Sequence, residues 1–515
     1  MKRLILLLSV AFLLHSGLLG QSPNIRIGGS INAFDPNEPS ICMNPQNPDE
    51  IVVGANANNY YVSRDGGITW KHGELRSSYG VNCDPVIVCD DQGSFYYFHL
   101  VPNLSRVVCQ KMNNIAGPWS DGSFTALNGT MEIDKEWATF DPVHGNLYVT
   151  WTQFNKHGSM DPRDSTIIFL ARSEDRGNTW SDKIRLSKKG GNASGGFQSV
   201  HGSYPTTGPN GEVYVCWWSP EGLMFDKSTD EGRNWLPTDL RVSQPSQWIY
   251  SIPGMQLTPS FPVIACDRSS GRYKGSIYIN WSEKRNGASD SDIWMITSRD
   301  GGASWSTAKK VNDGPAGKDQ FFNFISIDQV TGYLYILYYD RRNYTDNQTD
   351  VYLAISRDGG SSFENIKVSD APFLPYSTAF FGHYLGVSAH NNKIFAVWSR
   401  QDNGINSLWG ANLKMGSDGI EQSVKEVVTL EQNSPNPFNE YTFFSFKLRD
   451  PGQVTIRVKD VFGRTVAILA DHEEMAFGKH TLRFQPALYD LSPGIYYYSL
   501  IANEQTVTRR MIFSK

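Results

Sequence analysis

The chain has 515 residues, of which 19% are charged and 13% aromatic, and a formal net charge of −5 from 47 Lys and Arg against 52 Asp and Glu. That near-balance excludes an electrostatic grip on nucleic acid or on an anionic membrane, and the aromatic content excludes disorder as the main state. At ~100–200 residues per domain the length allows about two to four domains, or one large repeat domain with appendages. With 46 Gly and 26 Pro spread without a triplet period, the chain calls for many turns, an all-β profile.

The N-terminus opens with Met1-Lys2-Arg3 and an apolar run from Leu4 to Leu14. The run is too short to cross a ~30 Å hydrocarbon core. It reads as a secretory signal peptide over residues 1–20, cleaved near Gly20-Gln21, with a buried N-terminal helix as the alternative. No later stretch reaches ~18 continuous apolar residues, so no transmembrane segment is expected in the mature chain.

Beyond it one eight-residue phrase, S-x-D-x-G-x-x-[W/F], recurs five times: Ser63/Asp65/Trp70, Ser173/Asp175/Trp180, Ser228/Asp230/Trp235, Ser298/Asp300/Trp305 and Ser356/Asp358/Phe363. The starts lie 110, 55, 70 and 58 residues apart, and the first gap holds a worn copy at Gly117-Pro118-Trp119. Self-similarity at this period signals a propeller or a solenoid. Each phrase follows three strand-like runs, as Phe261–Cys266, Ser276–Trp281 and Asp292–Thr297 precede Ser298, and precedes a fourth, as in Leu240–Ser243. Four strands joined by tight turns make a propeller blade. The Ser and Asp oxygens accept bonds from turn N–H groups, the fifth-position glycine tolerates positive φ, and the final aromatic packs between blades. These aspartates therefore read as structural.

Units begin near Pro39, Pro85, Trp137, Tyr204, Phe261, Phe324 and Tyr384, which predicts seven blades; six follow if the weak second unit is an insertion. The seventh unit lacks the phrase and a fourth strand, and Asn24–Gly28 can supply that strand and close the ring. Cys42, Cys89 and Cys266 occupy one repeat position where Phe140 and Ile327 also stand, so buried free thiols are expected there; a bridge involving Cys83 or Cys109 stays open. No CxxC or Cys/His zinc spacing occurs, and neither metal nor cofactor is expected.

The repeated phrase resembles the Asp box, or BNR repeat, of the sialidase-like β-propellers, over roughly residues 24–413; the expected domain is 22–413. The C-terminal segment, from Leu430-Glu431-Gln432-Asn433-Ser434-Pro435 through Gly452–Asp460 and Gly494–Tyr498 to Thr508-Arg509-Arg510, resembles the C-terminal sorting domain of the Bacteroidetes-type type IX secretion system. That resemblance implies a small β-sandwich over 428–515, engagement of the secretion machinery, and release or attachment at the outer-membrane surface after periplasmic transit. Residues 414–427, polar and aperiodic, read as the linker.

Asp-box folds carry their boxes on one face. The loops entering first strands and leaving second strands build the other, and ligand chemistry is expected there. Entering loops carry Asp134, Glu136, His201, Tyr204, His383 and Tyr384; leaving loops carry Glu283, Arg285, Asp340, Arg341, Arg342 and Arg400. Glu136, Asp134, Glu283 and Asp340 are the candidate catalytic carboxylates. Arg285, Arg341, Arg342, Arg400, Tyr204, His383 and Tyr384 are the candidate ligand contacts, because sugars stack on aromatic faces and pair with carboxylates and guanidinium groups. Arg341 and Arg342 have a structural alternative, pairing with Asp340. By resemblance a sialidase needs three arginines around the sialate carboxylate, with a Tyr–Glu nucleophile pair and an acid/base Asp. Its first arginine belongs to an R-I-P phrase whose counterpart here is Glu38-Pro39-Ser40. Three functions fit: a secreted or surface propeller that binds glycans or glycoproteins, an exo-alpha-sialidase or other glycoside hydrolase, and a protein-interaction propeller.

Overall fold

The computed structural model describes residues 24–29, 36–125, 128–244, 248–256, 258–416, 419–422, 428–448, 451–502 and 505–514. The expected signal peptide over 1–20 lies outside the described residues. The chain divides into two compact units, Met1–Ser423 and Val424–Lys515. Both are all-β.

Among the described residues unit 1 consists chiefly of seven antiparallel sheets, five of four strands and two of five, each built on a four-stranded path that in the first six runs in sequence order. Sheet 1 is Ser40–Met43, Ile51–Ala55, Asn59–Ser63 and Lys71–Glu74; sheet 2 is Val86–Cys89, Phe95–Leu100, Val107–Met112 and Ser123–Phe124. Sheet 3 is Glu132–Asp141, Asn146–Phe154, Ser165–Ser173 and Ile184–Arg185; sheet 4 is His201–Thr207, Val213–Ser219, Gly222–Ser228 and Leu240–Ser243. Sheet 5 is Val263–Cys266, Ile277–Glu283, Asp292–Ser298 and Lys309–Lys310; sheet 6 is Gln320–Ile327, Leu334–Asp340, Asp350–Ser356 and Glu364–Lys367. Sheet 7 is Gly386–His390, Lys393–Asp402 and Ile405–Gly416, completed by Ile25–Gly29, which pairs antiparallel with Ile405–Gly416.

The burial gradient across each sheet follows from stacking. Second strands such as Val213–Ser219, Ile277–Glu283 and Leu334–Asp340 are buried at every position, because neighbouring sheets cover both faces. Fourth strands such as Lys71–Glu74 are polar and mostly exposed edges. Trp151, Trp217, Trp281 and Trp398, at the ends of second strands, are fully buried. First strands pack side by side from sheet 1 to sheet 7, and the first strand of sheet 7 packs in turn on that of sheet 1. There Met43 N–H donates to Ser388 Oγ (3.1 Å), and Ile41 and Val53 share one apolar cluster with Phe395, Val397 and Leu408.

The octapeptide staples neighbouring sheets. In the first copy Ser63 Oγ donates to Asp65 Oδ1 (2.8 Å), and the N–H groups of Ile68 and Thr69 donate to the same oxygen (3.0 and 2.8 Å). Gly67 sits at φ 85°, and a Cβ there would fall inside the Phe395 ring of sheet 7, while Trp70 meets that ring edge-on at 5.2 Å. Ser173, Ser228, Ser298 and Ser356 repeat the bond to Asp175, Asp230, Asp300 and Asp358 at 2.7–2.8 Å.

The aromatic that closes each copy packs between neighbouring sheets, as expected, at the rim of the seam. Trp70, Trp180, Trp235, Trp305 and Phe363 are all half-buried, because each ends an exposed turn. Trp180 meets Phe98 of sheet 2 at 5.8 Å, and Trp305 meets Phe225 of sheet 4 at 5.1 Å, both edge-on. Trp235 rests on the cluster holding Tyr148 and Leu170 of sheet 3, and Phe363 on that holding Tyr278 and Met295 of sheet 5. Indole N–H groups anchor three of them: Trp70 and Trp235 donate to the turn carbonyls of Gly67 and Gly232 (3.0 Å each), and Trp180 to Ser123 Oγ on the fourth strand of sheet 2 (2.9 Å). These rings thus join the apolar clusters that neighbouring sheets share. All six cysteines are free thiols, Cys83 and Cys109 included.

The stretch 414–427 is only partly a linker. Lys414–Gly416 extends the last strand of sheet 7, and Gly419–Gln422 pairs back on it. The cause is Met415, which is 6% exposed within the apolar core, so the polar stretch is anchored by one buried side chain. Residues 417–418 and 423–427 lie outside the described residues.

In unit 2, Val428–Leu430, Thr442–Leu448 and Gly478–Phe484 form a three-stranded sheet. Thr465–Met475, Gly452–Lys459, Gly494–Ala502 and Gln505–Phe513 form a four-stranded one. Alternate residues Val454, Ile456 and Val458 meet Phe444, Phe446 and Tyr498 in one core, where Phe444 stacks on Tyr498 at 4.1 Å.

Candidate functional site

One backbone position recurs where the chain enters a first strand. Glu38, Asp84, Lys135, Gly202, Phe322 and Gly382 all have positive φ, between 45° and 97°. Phe261 holds the same place in sheet 5, two residues before the strand begins. In sheets 3, 4 and 6 the strand register slips here, between Asp134 and Trp137, His201 and Tyr204, and Phe321 and Asn323. A bulge re-aims a side chain, and left-handed conformation at a non-glycine residue costs ~1–3 kcal/mol. Four such residues in one ring mark a place where side-chain direction outweighs local strain. Glycine is required at two members: a Cβ on Gly202 would overlap the Phe261 ring, and one on Gly382 would lie 2.7 Å from Glu38 Cγ.

The three charged members, from sheets 1, 2 and 3, meet. Lys135 Nζ lies 2.9 Å from Asp84 Oδ1 and 3.3 Å from Glu38 Oε1. Glu38 also accepts the His383 backbone N–H at 3.0 Å, lies 3.1 Å from His383 Nδ1, and accepts Asn56 Nδ2 at 2.7 Å. Asn56 Oδ1 accepts the Asp84 N–H at 2.9 Å. One polar network thus ties sheets 1, 2, 3 and 7. Burial opposes ionisation of Glu38, but Lys135, His383 and Asn56 outweigh it and hold its carboxyl well below the usual range. Burial also opposes charge on Lys135, and Asp84, Glu38 and Asp134 outweigh it to hold the ammonium. For Asp84, burial and the neighbouring carboxylates push the acid up.

Glu136 lies behind this network, 1% exposed, with no hydrogen-bond partner on another residue for either carboxyl oxygen. Burial and the nearby Asp84 raise its acid well above the ordinary range. Asp134 faces the other way: His201 Nε2 lies 3.1 Å from its Oδ2, and its side chain is 25% exposed. Burial disfavours its charge, but His201 and Lys135 outweigh that and hold it ionised.

An aromatic floor completes the mouth. Trp137 stacks on Tyr204 at 4.6 Å and meets Tyr384 edge-on at 5.4 Å and Phe324 at 5.6 Å. Lys135 Nζ lies 5.4 Å from the Tyr384 ring centre and 5.9 Å from that of Phe261. These residues, with His383, line a cavity of about 30 Å³, room for water alone, that opens into a wider concavity. A larger ligand would rest across this mouth, against the half-buried Trp137, Tyr204, Phe261 and His383.

Of the candidates drawn from sequence, Tyr204, His383 and Tyr384 line the mouth together, and Asp134 and Glu136 flank it. Glu283, Asp340 and the arginines are engaged at the ends of second strands. Arg285 pairs with Glu283 (2.5 Å), Arg342 with Asp340 (2.7 Å) and Asp313 (2.5 Å), and Arg400 with Asp402 (2.8 Å). Arg341, 4% exposed, donates to Pro253 O (2.7 Å) and Thr349 Oγ1 (3.1 Å), and burial lowers its pKa to about 10. No two of these guanidinium groups share a carboxylate among the bonds above. Sequence reading missed Glu38, Asp84, Lys135, Phe261 and Phe322 as a set. Their signal was the shared offset, two residues ahead of Ser40, Val86, Trp137, Val263 and Phe324.

No curated protein matches the sequence. Among solved structures the chain is similar to a Hadza microbial sialidase, at 15% identity and a TM-score of 0.40, over 70% of this chain and 73% of that one. It is also similar to the Penicillium chrysogenum alpha-L-arabinanase complexed with arabinobiose (13%, TM-score 0.40, 65% of this chain and 98% of that one). A third is a polysaccharide lyase, an ulvan lyase (14%, TM-score 0.42, 78% and 97%). No helix among the described residues is long and apolar enough to cross a membrane. Residues 434–514 match the secretion system C-terminal sorting domain, the tail by which cargo leaves through the type IX secretion system for the cell surface or the surrounding medium.

Proposed function

We propose that the chain is an exported seven-bladed Asp-box β-propeller, residues 22–413, whose strand-entry mouth binds glycans without hydrolysing them. A signal peptide over 1–20 and the sorting domain over 428–515 deliver it. Seven successive sheets, each with a four-stranded path, the last completed by the N-terminal strand and packed on the first, favour seven blades over six.

The observation that carries the binding reading is that, of the carboxylates named around the mouth, Asp134 alone is partly open, at 25% side-chain exposure; Glu136 is 1% exposed and the other four are already committed. Glu38, Asp84, Glu283 and Asp340 have side chains 1%, 6%, 0% and 0% exposed, each facing a cationic partner. A glycosidase needs one acid and a second carboxylate open to the sugar, and a sialidase needs free guanidinium groups as well. Binding needs neither. It needs flat apolar faces beside polar groups, which Trp137, Tyr204 and Phe261 beside Asp134, Lys135 and His383 offer.

The test is a glycan array probed with the secreted protein, followed by product analysis on every glycan that binds. Retention without products is expected, with loss of binding in Trp137→Ala and Tyr204→Ala. Release of sugar from any glycan would make it a hydrolase. Binding only to glycan-free protein would make it an interaction propeller.

A further inference from the structure

Building on the glycan-binding reading of the mouth, we propose that it selects uncharged saccharides and rejects those bearing a carboxylate or sulfate. Lys135 is the one Lys or Arg among the described residues that line the cavity. Its ammonium is spent: Asp84 and Glu38 lie at 2.9 and 3.3 Å on sheets 2 and 1, and Asp134 neighbours it in the chain. An acidic ligand would approach a cation facing three carboxylates, with His201 bound to Asp134 and His383 against Glu38. Pulling Lys135 toward the ligand would leave Glu38 and Asp84 buried without it, a change of the kind that costs several kcal/mol.

The arginines further out are no better placed. Arg285, Arg342 and Arg400 are each neutralised by a carboxylate two residues away, and Arg341 is fixed to Pro253 and Thr349. Lys284 is held by the carbonyls of Ser251 and Ala288 (2.7 and 2.6 Å). Sugar hydroxyls, by contrast, can donate to Asp134, whose carboxylate is 25% exposed, while the pyranose face lies on Trp137 or Tyr204. Such donation stabilises an acceptor whose charge the protein already maintains.

The test uses neutral oligosaccharides, each paired with the same oligosaccharide carrying a terminal sialic or uronic acid, titrated into the purified full-length secreted protein at constant ionic strength. The neutral member of a pair is expected to bind at least tenfold more tightly. Equal or tighter binding of the acidic member overturns the selectivity while leaving glycan binding intact. Absence of binding by every neutral and acidic member removes glycan binding, and the selectivity with it. Asp134→Asn supplies a second readout: it removes one partly exposed negative charge and should narrow the acidic-to-neutral gap several-fold with the fold retained by circular dichroism. An unchanged gap in that variant also counts against the proposal.

Discussion

Replacing Lys135 by methionine keeps the length and apolar stem of the side chain while removing the charge that three sheets share. Glu38 would keep Asn56 and His383, but Asp84 would lose the Nζ contact at 2.9 Å and both carboxyls would stay buried. Breaking one side of a buried pair costs ~3–5 kcal/mol. A loss of about 3 kcal/mol is expected at pH 7, because Asp84, already pushed upward, can take a proton. The assay is urea unfolding followed by the fluorescence of the 14 tryptophans. The pH dependence carries the sign. Buried without the ammonium, Asp84 would titrate above its ordinary range in the folded variant. The native state then binds more protons than the unfolded chain, and stability falls as pH rises. The deficit should therefore shrink from pH 7 to pH 5. In the native protein Glu38 behaves oppositely: held low, it contributes in full above the ordinary carboxylate pKa, and that contribution is lost as pH falls toward its depressed value. A deficit under ~1 kcal/mol, constant with pH, is what a solvent-screened pair would give and would refute the reasoning.

Glu136→Gln should separate from the native protein as pH rises: the neutral buried acid costs stability above the ordinary glutamate pKa, by up to ~1.4 kcal/mol per pH unit, and the amide does not. Curves of Tm against pH that stay parallel would contradict this. Gly67→Ala, at φ 85° and directed into Phe395, should cost clearly more than Gly404→Ala, at φ 78° with nothing within 4 Å of a Cβ. The second loses only ~1 kcal/mol of conformational preference, and equal midpoint shifts would argue against the octapeptide as an inter-sheet staple. Asp300→Ala removes bonds to Ser298 and Ser304 and should lower the unfolding midpoint while glycan affinity stays unchanged; altered affinity would implicate the octapeptide face in binding.

What was legible in the sequence was what is local. Ser63, Asp65 and Gly67 close their bonds within a few residues, so one repeated phrase exposes both the turn and the strand pattern around it. So was the packing of its last residue: Trp180, Trp235, Trp305 and Phe363 recur at one place, and each rests on an apolar cluster that neighbouring sheets share. The aromatic mouth was partly legible, because Tyr204 and Tyr384 sit at repeat positions. The charged network was not: Lys135 reaches Glu38 and Asp84 across 97 and 51 residues, and each of the three stands in a different unit. Nor does residue type announce the left-handed position they share, since Glu, Asp, Lys and Phe there replace the glycine of sheets 4 and 7. The arginines misled for the same reason in reverse. Arg285 and Arg400 looked available in one dimension, yet a carboxylate two residues along had already claimed each, and a distant carbonyl at Pro253 holds Arg341; Arg342 makes the Asp340 pair that its sequence neighbourhood offered.

A crystal structure of the protein soaked with the tightest-binding neutral oligosaccharide from the array tests the mouth assignment most directly. An intact sugar seated on Trp137 and Tyr204, hydrogen-bonded to Asp134, is the expected result. A sugar bound against the octapeptide turns, or one cleaved beside Glu283 and Asp340, would contradict it.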